Sequence, residues 1–166
     1  MSIIGRLRAN AATEQIVLSQ AKKNKSIIFG GQAIRKHIGF FGRPTMDFDV
    51  LSMKPKRSAR QLERKLDTVA QQDTYYTQPA LHPGTTKVIH KGQDMRKGTR
   101  DDFGIADYSK PRKGICFKVI NGIRYVCLHE TIKDKRKAIA DPQFAFRKEK
   151  DLEDIRRIKR FRRFNR

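Results

Sequence analysis

Apolar and polar positions change period several times along the chain, and each change marks an element. Over residues 10–22, Ile16, Val17 and Ala21 recur at helical spacing. This predicts a first helix, capped by Asn10 or Thr13 and ended by the cations of 22–25. The short apolar run Ile27, Ile28, Phe29 reads as a strand, and Gly30-Gly31 breaks it. Ala33, Ile34 and Ile38 make residues 32–38 helix-compatible. From Met46 the alternation is strict: Met46, Phe48 and Val50 point one way, Asp47 and Asp49 the other. The stretch 26–52 thus reads strand, tight turn, short helix, loop, strand. It leaves two carboxylates side by side on the open face of a half-buried strand.

Downstream, residues 58–71 form the clearest helix. Ser58 and Gln61 make a capping box, and Leu62, Leu66, Val69 and Ala70 make one apolar stripe suited to lie on a sheet. Residues 73–81 carry Tyr75 and Tyr76, either strand residues that pack or rings that stack on bases. His82-Pro83-Gly84 is a turn and 86–90 a strand. Residues 91–102 are polar and basic, and are expected to be mobile. Residues 103–109 are a short strand with Asp107 among apolar neighbours. In 115–128 the Asn121-Gly122 pair predicts a two-residue hairpin. That register sets Ile120 against Ile123, Phe117 against Val126 and Cys116 against Cys127. A basic helix over 130–139, a break at Asp141-Pro142 and a last helix over 147–160, with Leu152, Ile155 and Ile158 inward, complete the chain.

Charge changes the picture. The 166 residues suffice for one domain with a real core, too few for two full ones. The net charge of +21 exceeds anything a fold of this size needs. It points to a polyanionic partner: nucleic acid first, a membrane surface or an acidic protein second. No apolar run approaches the ~18 residues of a membrane span, and the N-terminus lacks an apolar signal core. With two cysteines and no export signal, a reducing cytoplasm is the expected compartment, and Cys116 and Cys127 are read as reduced core residues. The chain ends RRIKRFRRFNR, seven cations interleaved with Phe161 and Phe164. This is either a solvated tail or a nucleic-acid contact in which charge binds phosphate and rings stack on bases.

Chemistry concentrates in the 26–52 stretch. Two carboxylates two apart on a strand repel one another unless a cation stands between them. A hard divalent ion, Mg²⁺ or Mn²⁺, suits such a pair together with phosphate oxygens. A glycine turn opening a helix offers backbone N–H groups to an anion. Together these are the equipment for metal-assisted phosphoryl or nucleotidyl transfer.

GGQAIR followed by RPTMDFDV resembles the signature of the nucleotidyltransferase fold, the DNA polymerase β-like superfamily. The form Arg43, Thr45, Asp47, Asp49 is most similar to its abortive-infection type II toxin branch. Fifteen residues lie between Gly31 and Asp47, longer than in the shortest members. HETIKDKRKAI and FRKEKDLEDI are similar to the toxin branch's later motifs, which fall here on Lys135, Arg147, Lys150 and Asp151.

The resemblance implies an α/β fold: a small mixed sheet with helices packed on it and a short helical C-terminal extension. Residues 1–128 would be the core and 129–166 a basic helical extension packed as part of the same domain. Gly30 and Gly31 would hold the phosphates of an NTP, helped by Arg35 or Arg43, with Thr45 beside them. Asp47 and Asp49 would hold the metal. Asp107 would be third ligand or base, with Asp101 and Asp102 poorer matches. Lys135 would contact the triphosphate, oriented by Asp151 or, one turn on, Asp154. The implied reaction moves a nucleoside monophosphate from NTP to an acceptor. The charge makes that acceptor RNA, such as a tRNA 3′ end. The branch implies a toxin with an acidic antitoxin partner. Two alternatives compete. A non-catalytic basic nucleic-acid-binding protein explains the composition but not the ordered Gly-Gly and Asp-x-Asp arrangement. A transferase acting on protein or a small molecule leaves the charge without a use.

Overall fold

The computed structural model describes residues 3–165, with side chains from residue 11. Helix α1 (Ile3–Lys23) leads through a short turn into strand β1 (Ile27–Phe29), which passes directly into helix α2 (Gly30–Ile38). A 3₁₀ turn (Gly39–Phe41) and a loop reach β2 (Phe48–Leu51). Then come α3 (Pro55–Ala70), β3 (Tyr75–Pro79), β4 (Thr86–His90), β5 (Phe103–Ser109), β6 (Phe117–Ile120) and β7 (Ile123–Val126). Helix α4 (Leu128–Ala140), a 3₁₀ segment (Pro142–Arg147) and α5 (Lys148–Phe164) end the chain.

The strands form one mixed sheet in the order β3-β4-β5-β2-β1-β7-β6. β1 is antiparallel to β2 and parallel to β7, while β2 is parallel to β5. The period-two alternation of strands sorts their side chains into two faces. Ile28, Phe48, Val50, Ala106 and Tyr108 lie in one cluster with Val17 and Ala21 of α1 and Leu62 and Leu66 of α3. These two helices therefore cover that face. The alternate positions Ile27, Leu51 and Val126 form a smaller cluster on the other face. Ile34 and Ile38 of α2 pack on Ile132 of α4 and Ile158 of α5, so the C-terminal helices are joined to the sheet through α2.

Several expectations shift. α1 starts at Ile3, so Asn10 and Thr13 lie inside it; Thr13 hydrogen-bonds Tyr75 instead. α3 starts at Pro55, whose fixed φ suits the first helical position. Ser58 is therefore not a cap but a buried helix residue that shares a hydrogen bond of 2.7 Å with Ser52. Met46 is exposed and precedes β2, so the inward alternation begins only at Phe48. Tyr75 and Tyr76 are buried and pack. The 91–102 loop is fastened: Asp101 accepts the backbone N–H of Gln93, and Asp102 accepts the Tyr76 hydroxyl and the Gly98 N–H.

The hairpin has the register set by Asn121-Gly122, with Phe117 opposite Val126 and Ile120 opposite Ile123. The cysteines, expected to be reduced, are joined as a disulfide. The register brings the two within reach. It sets them opposite one another with Cα atoms 5.6 Å apart, inside the range a disulfide spans. The C-terminal phenylalanines are also used within the fold. Phe161 meets Phe41 edge-on at 5.8 Å and Phe164 stacks on it at 5.9 Å. Among the described residues no helix is long and apolar enough to cross a membrane.

Candidate active site

Asp49 sits in the middle of β2, on the face opposite Phe48 and Val50. Its antiparallel partner is Phe29, the last residue of β1, so Gly30 follows directly beside it. Gly30 takes φ +65°, and a Cβ there would lie 1.9 Å from Asp49 Oδ2. Only glycine allows both this backbone and this approach. A Cβ on Gly31 already meets Thr45 at 3.0 Å. The strand-to-helix turn is thus laid against the carboxylate strand. No side chain caps the first turn of α2, which leaves its backbone N–H groups for an anion.

Across the parallel pair, Asp107 of β5 stands level with Asp49. Lys87, level with Asp107 on β4, reaches its carboxylate at 3.6 Å. Asp47 lies one residue before β2 and accepts a 2.6 Å hydrogen bond from the Thr45 hydroxyl. Thr45 is itself held by Gln32 of α2, whose Nε2 donates to the Thr45 carbonyl at 3.0 Å.

These three carboxylates differ in charge state for physical reasons. Burial first, then the like charges of Asp47 and Asp107, push the Asp49 carboxyl up to about 7. Burial also raises Asp107, against the pull of Lys87. Burial works to raise Asp47 too. The Thr45 hydrogen bond and the charges of Lys150 and Arg43 outweigh it and hold Asp47 below the usual range. The donor set is all oxygen and two members disfavour ionisation together. That fits a hard divalent cation, whose charge would relieve the repulsion. One triplet of His, Cys, Asp or Glu among the described residues brings its ligand atoms within 4.8 Å of one another, and it is Cys116, Cys127 and His129. There the two sulfurs are bonded to each other.

A cleft of about 300 Å³ opens over Asp49 and Gly30, with Ser109 and Lys110 at the end of β5 and Lys135 and Arg147 on its far wall. Lys135 is buried, 2.6 Å from Asp151 and 2.8 Å from Asp154. Arg147 binds Asp151 at 2.9 Å, and Arg43 Nε stands 3.4 Å from Asp154. Three cations thus surround two fully buried carboxylates and leave one positive charge over. Burial works to raise Asp151, but hydrogen bonds from Lys135 and Arg147 keep it below the ordinary carboxylate range.

Of the expected site residues, the structure brings together Gly30, Gly31, Thr45, Asp47, Asp49 and Asp107. Lys135, Asp151 and Arg43 form the adjoining charged cluster. Arg35 stands apart, lining a separate hollow with Gln32, Phe48 and Tyr125 on the α1 side of the sheet. Lys87 was not expected. Its signal is a cross-strand pairing with Asp107, visible only once β4 and β5 are known to be neighbours.

Two solved structures share this architecture. The chain superposes on the Megavirus polyadenylate synthase with a TM-score of 0.69, at 17% identity over 89% of its length. It superposes on a protein from H. pylori assigned to the nucleotidyltransferases with a TM-score of 0.56, at 14% identity over 93% of its length. The chain has the nucleotidyltransferase fold. It spans 30% of the polyadenylate synthase and 67% of the H. pylori protein. No protein-family profile matches the sequence, and no curated protein matches it. Within this fold the strand that ends at the Gly-Gly turn is the antiparallel neighbour of the strand that carries Asp49, and Asp49 lines a cleft that Lys110, Arg112, Lys135 and Arg147 also line.

Proposed function

We propose that the protein transfers a nucleoside monophosphate from an NTP to the 3′-hydroxyl of an RNA acceptor in a divalent-metal-dependent reaction. The observation that carries this is Asp49 set against Gly30 and level with Asp107. A carboxylate pair and a phosphate-binding turn thereby share one point. Mg²⁺ or Mn²⁺, held by Asp47 and Asp49 with Asp107 as third ligand, would neutralise the triphosphate and acidify the attacking hydroxyl. Gly30 and Gly31 present backbone N–H groups to the phosphates. The acceptor 3′-oxygen bonds to the α-phosphorus as the bridge to the β-phosphate breaks and pyrophosphate leaves. Asp107 accepts the hydroxyl proton, which its raised pKa favours. Arg147 and Lys135 face the charge that builds on the leaving pyrophosphate. Asp151 and Asp154 hold Lys135 in place. An NTP-consuming reaction fits a cytoplasmic setting, where thiols would replace the Cys116–Cys127 bond.

The test is incorporation of each labelled NTP into total RNA by wild type and by Asp47→Asn. Transfer should be lost in the variant while RNA affinity is kept or rises, because one negative charge has gone from a protein of +21. A variant that keeps the wild-type rate refutes the site. Wild type inert with every NTP, RNA and divalent ion supports the non-catalytic binding protein instead. The toxin reading, with an acidic antitoxin partner, rests on the pattern of Arg43, Thr45, Asp47 and Asp49. Its test is growth arrest on expression, relieved by the same Asp47→Asn change.

A further inference from the structure

A second concave surface adjoins the cleft. Lys54, Lys56, Arg57, Arg60, Arg64 and Lys110 line a groove of about 570 Å³ that runs along α3 as far as Arg64, and no carboxylate lines it. All six side chains are exposed. Among the described residues none of the six forms an ion pair. Other surface cations do, such as Arg112 with Glu130 and Asp134, or Arg157 with Glu153.

The groove costs the fold something. α3 has no acidic residue in its first turn, where Lys56 and Arg57 stand instead. Positive charge at a helix N-terminus opposes the macrodipole. Mutual repulsion among six unpaired cations adds to this. Nothing in the packing of α3, which is carried by Ala59, Leu62 and Leu66 on its inner face, requires these charges.

The groove adjoins the cleft of the candidate active site through one shared residue. Lys110 lines both, and it follows Asp107 by three residues at the point where β5 leaves the carboxylates. An anionic strand whose end lies at Asp49 and Asp107 therefore meets Lys110 first and then the α3 cations.

We propose that this groove holds the phosphodiester backbone of a single-stranded RNA acceptor, upstream of the 3′ end that enters the cleft. The proposal rests on the nucleotidyl-transfer reading and names its acceptor path. Charge complementarity selects the occupant. A row of exposed cations in a concave track suits a chain of evenly spaced phosphates. An anionic membrane calls for a broad surface with apolar side chains to insert, and Met53 is the one large apolar side chain lining the groove.

The test uses the full-length triple variant Arg57→Gln/Arg60→Gln/Arg64→Gln, since glutamine is a good helix former at exposed positions. Affinity for a labelled single-stranded RNA of about 12 nucleotides is measured against salt. Single-strand binding loses ~0.7 in log–log slope per phosphate contact removed. The variant's slope should be shallower by about 2, equivalent to roughly 20-fold less affinity lost between ~50 and ~200 mM salt. Wild-type affinity should rise with RNA length from two nucleotides to twelve, and the variant's should rise much less. Its affinity for NTP, measured with Mg²⁺ present, should match wild type. An unchanged salt slope, or an unchanged gain with length, overturns the proposal. So does loss of binding to polyglutamate with RNA binding retained, which would assign the groove to an acidic protein. The two readings fail separately. Wild type that binds RNA through the groove but transfers nothing refutes the reaction alone. Wild type that transfers with an unchanged variant slope refutes the groove alone.

Discussion

Neutralising Asp49 should make the metal-free protein more stable while removing its chemistry. The folded state holds this carboxyl at about 7 against an ordinary 3.8, through burial first and then the charges of Asp47 and Asp107. Below the ordinary value both folded and unfolded chains carry the proton. As pH rises past ~4 the unfolded chain releases it and the folded chain does not, so stability falls with each further unit. The loss is complete once pH passes about 7. At ~1.4 kcal/mol per pH unit the full penalty is on the order of 4 kcal/mol. Asparagine has the same shape, keeps the contact with Gly30 and removes the ionised form. Metal-free Asp49→Asn should therefore exceed wild type by about 2–4 kcal/mol at pH ~8. For a domain of this length that is roughly 5–15 °C in Tm. The assay is thermal unfolding of both proteins in EDTA at about pH 4.5, 6 and 8, repeated with Mg²⁺ in place of EDTA. The gap should be largest at the highest pH and close at the lowest. Mg²⁺ should stabilise wild type and leave the variant unmoved, since a ligand stabilises only the state that binds it. A variant less stable than wild type at high pH, or a gap that does not change with pH, would refute the reasoning.

Other perturbations test the remaining parts. Gly30→Ala places a Cβ 1.9 Å from Asp49 Oδ2 at φ +65°, so it should abolish transfer and cost at least the ~1–2 kcal/mol of a left-handed non-glycine residue in chemical unfolding. Asp151→Ala leaves Lys135, Arg147 and Arg43 around Asp154 alone and should lower stability by about 3–5 kcal/mol, read as a fall in the urea midpoint without a change in slope. Reduction of Cys116–Cys127 releases a short loop, with a separation of 11 residues, and should cost up to about 3 kcal/mol. Chemical unfolding with and without dithiothreitol measures it, and the hairpin register should survive because Asn121-Gly122 sets it.

Much of the fold was legible because local rules and tertiary packing agree. The hairpin is written in Asn121-Gly122 and its flanking alternation, and β4 and β5 have the bounds their patterns predict. The glycine turn and Asp49 were legible because backbone chemistry and side-chain chemistry coincide there. The errors arise where a local signal was outweighed. Ser58 and Gln61 look like a capping box, but Pro55 starts the helix earlier and draws Ser58 into the interior. Met46 fits the alternation by period alone, yet the Thr45–Asp47 bond ties the chain back before the sheet begins. Lys87 could not be found from sequence, because it matters only through the β4–β5 register. Arg35, which the resemblance places beside the phosphates, is carried by α2 to the opposite side, where it lines a hollow with Phe48 and Tyr125.

The distribution of charge explains why composition pointed to a polyanion but not to where it binds. Summed over the chain, cations outnumber anions by 21, and the sum does not separate two unlike populations. Lys135, Arg43 and Arg147 are built around two buried carboxylates, Asp151 and Asp154. Their charge is largely spent inside the protein, on fixing the wall of the cleft. Among the described residues the six cations of the α3 groove have no such partner, and three of the four that α3 itself carries, Arg57, Arg60 and Arg64, stand at i, i+3 and i+7. That spacing keeps Arg57, Arg60 and Arg64 on one helical face. An exposed pair is worth little to stability, with a median near 0–1 kcal/mol, so stability places no demand on leaving these three unpaired or on aligning them. The C-terminal cations differ again, because Phe161 and Phe164 between them are engaged with Phe41. A polyanion that only coated the surface would be held by all of these populations alike. One that must deliver an end to Asp49 is held best by the population that shares Lys110 with the cleft, as the α3 groove does.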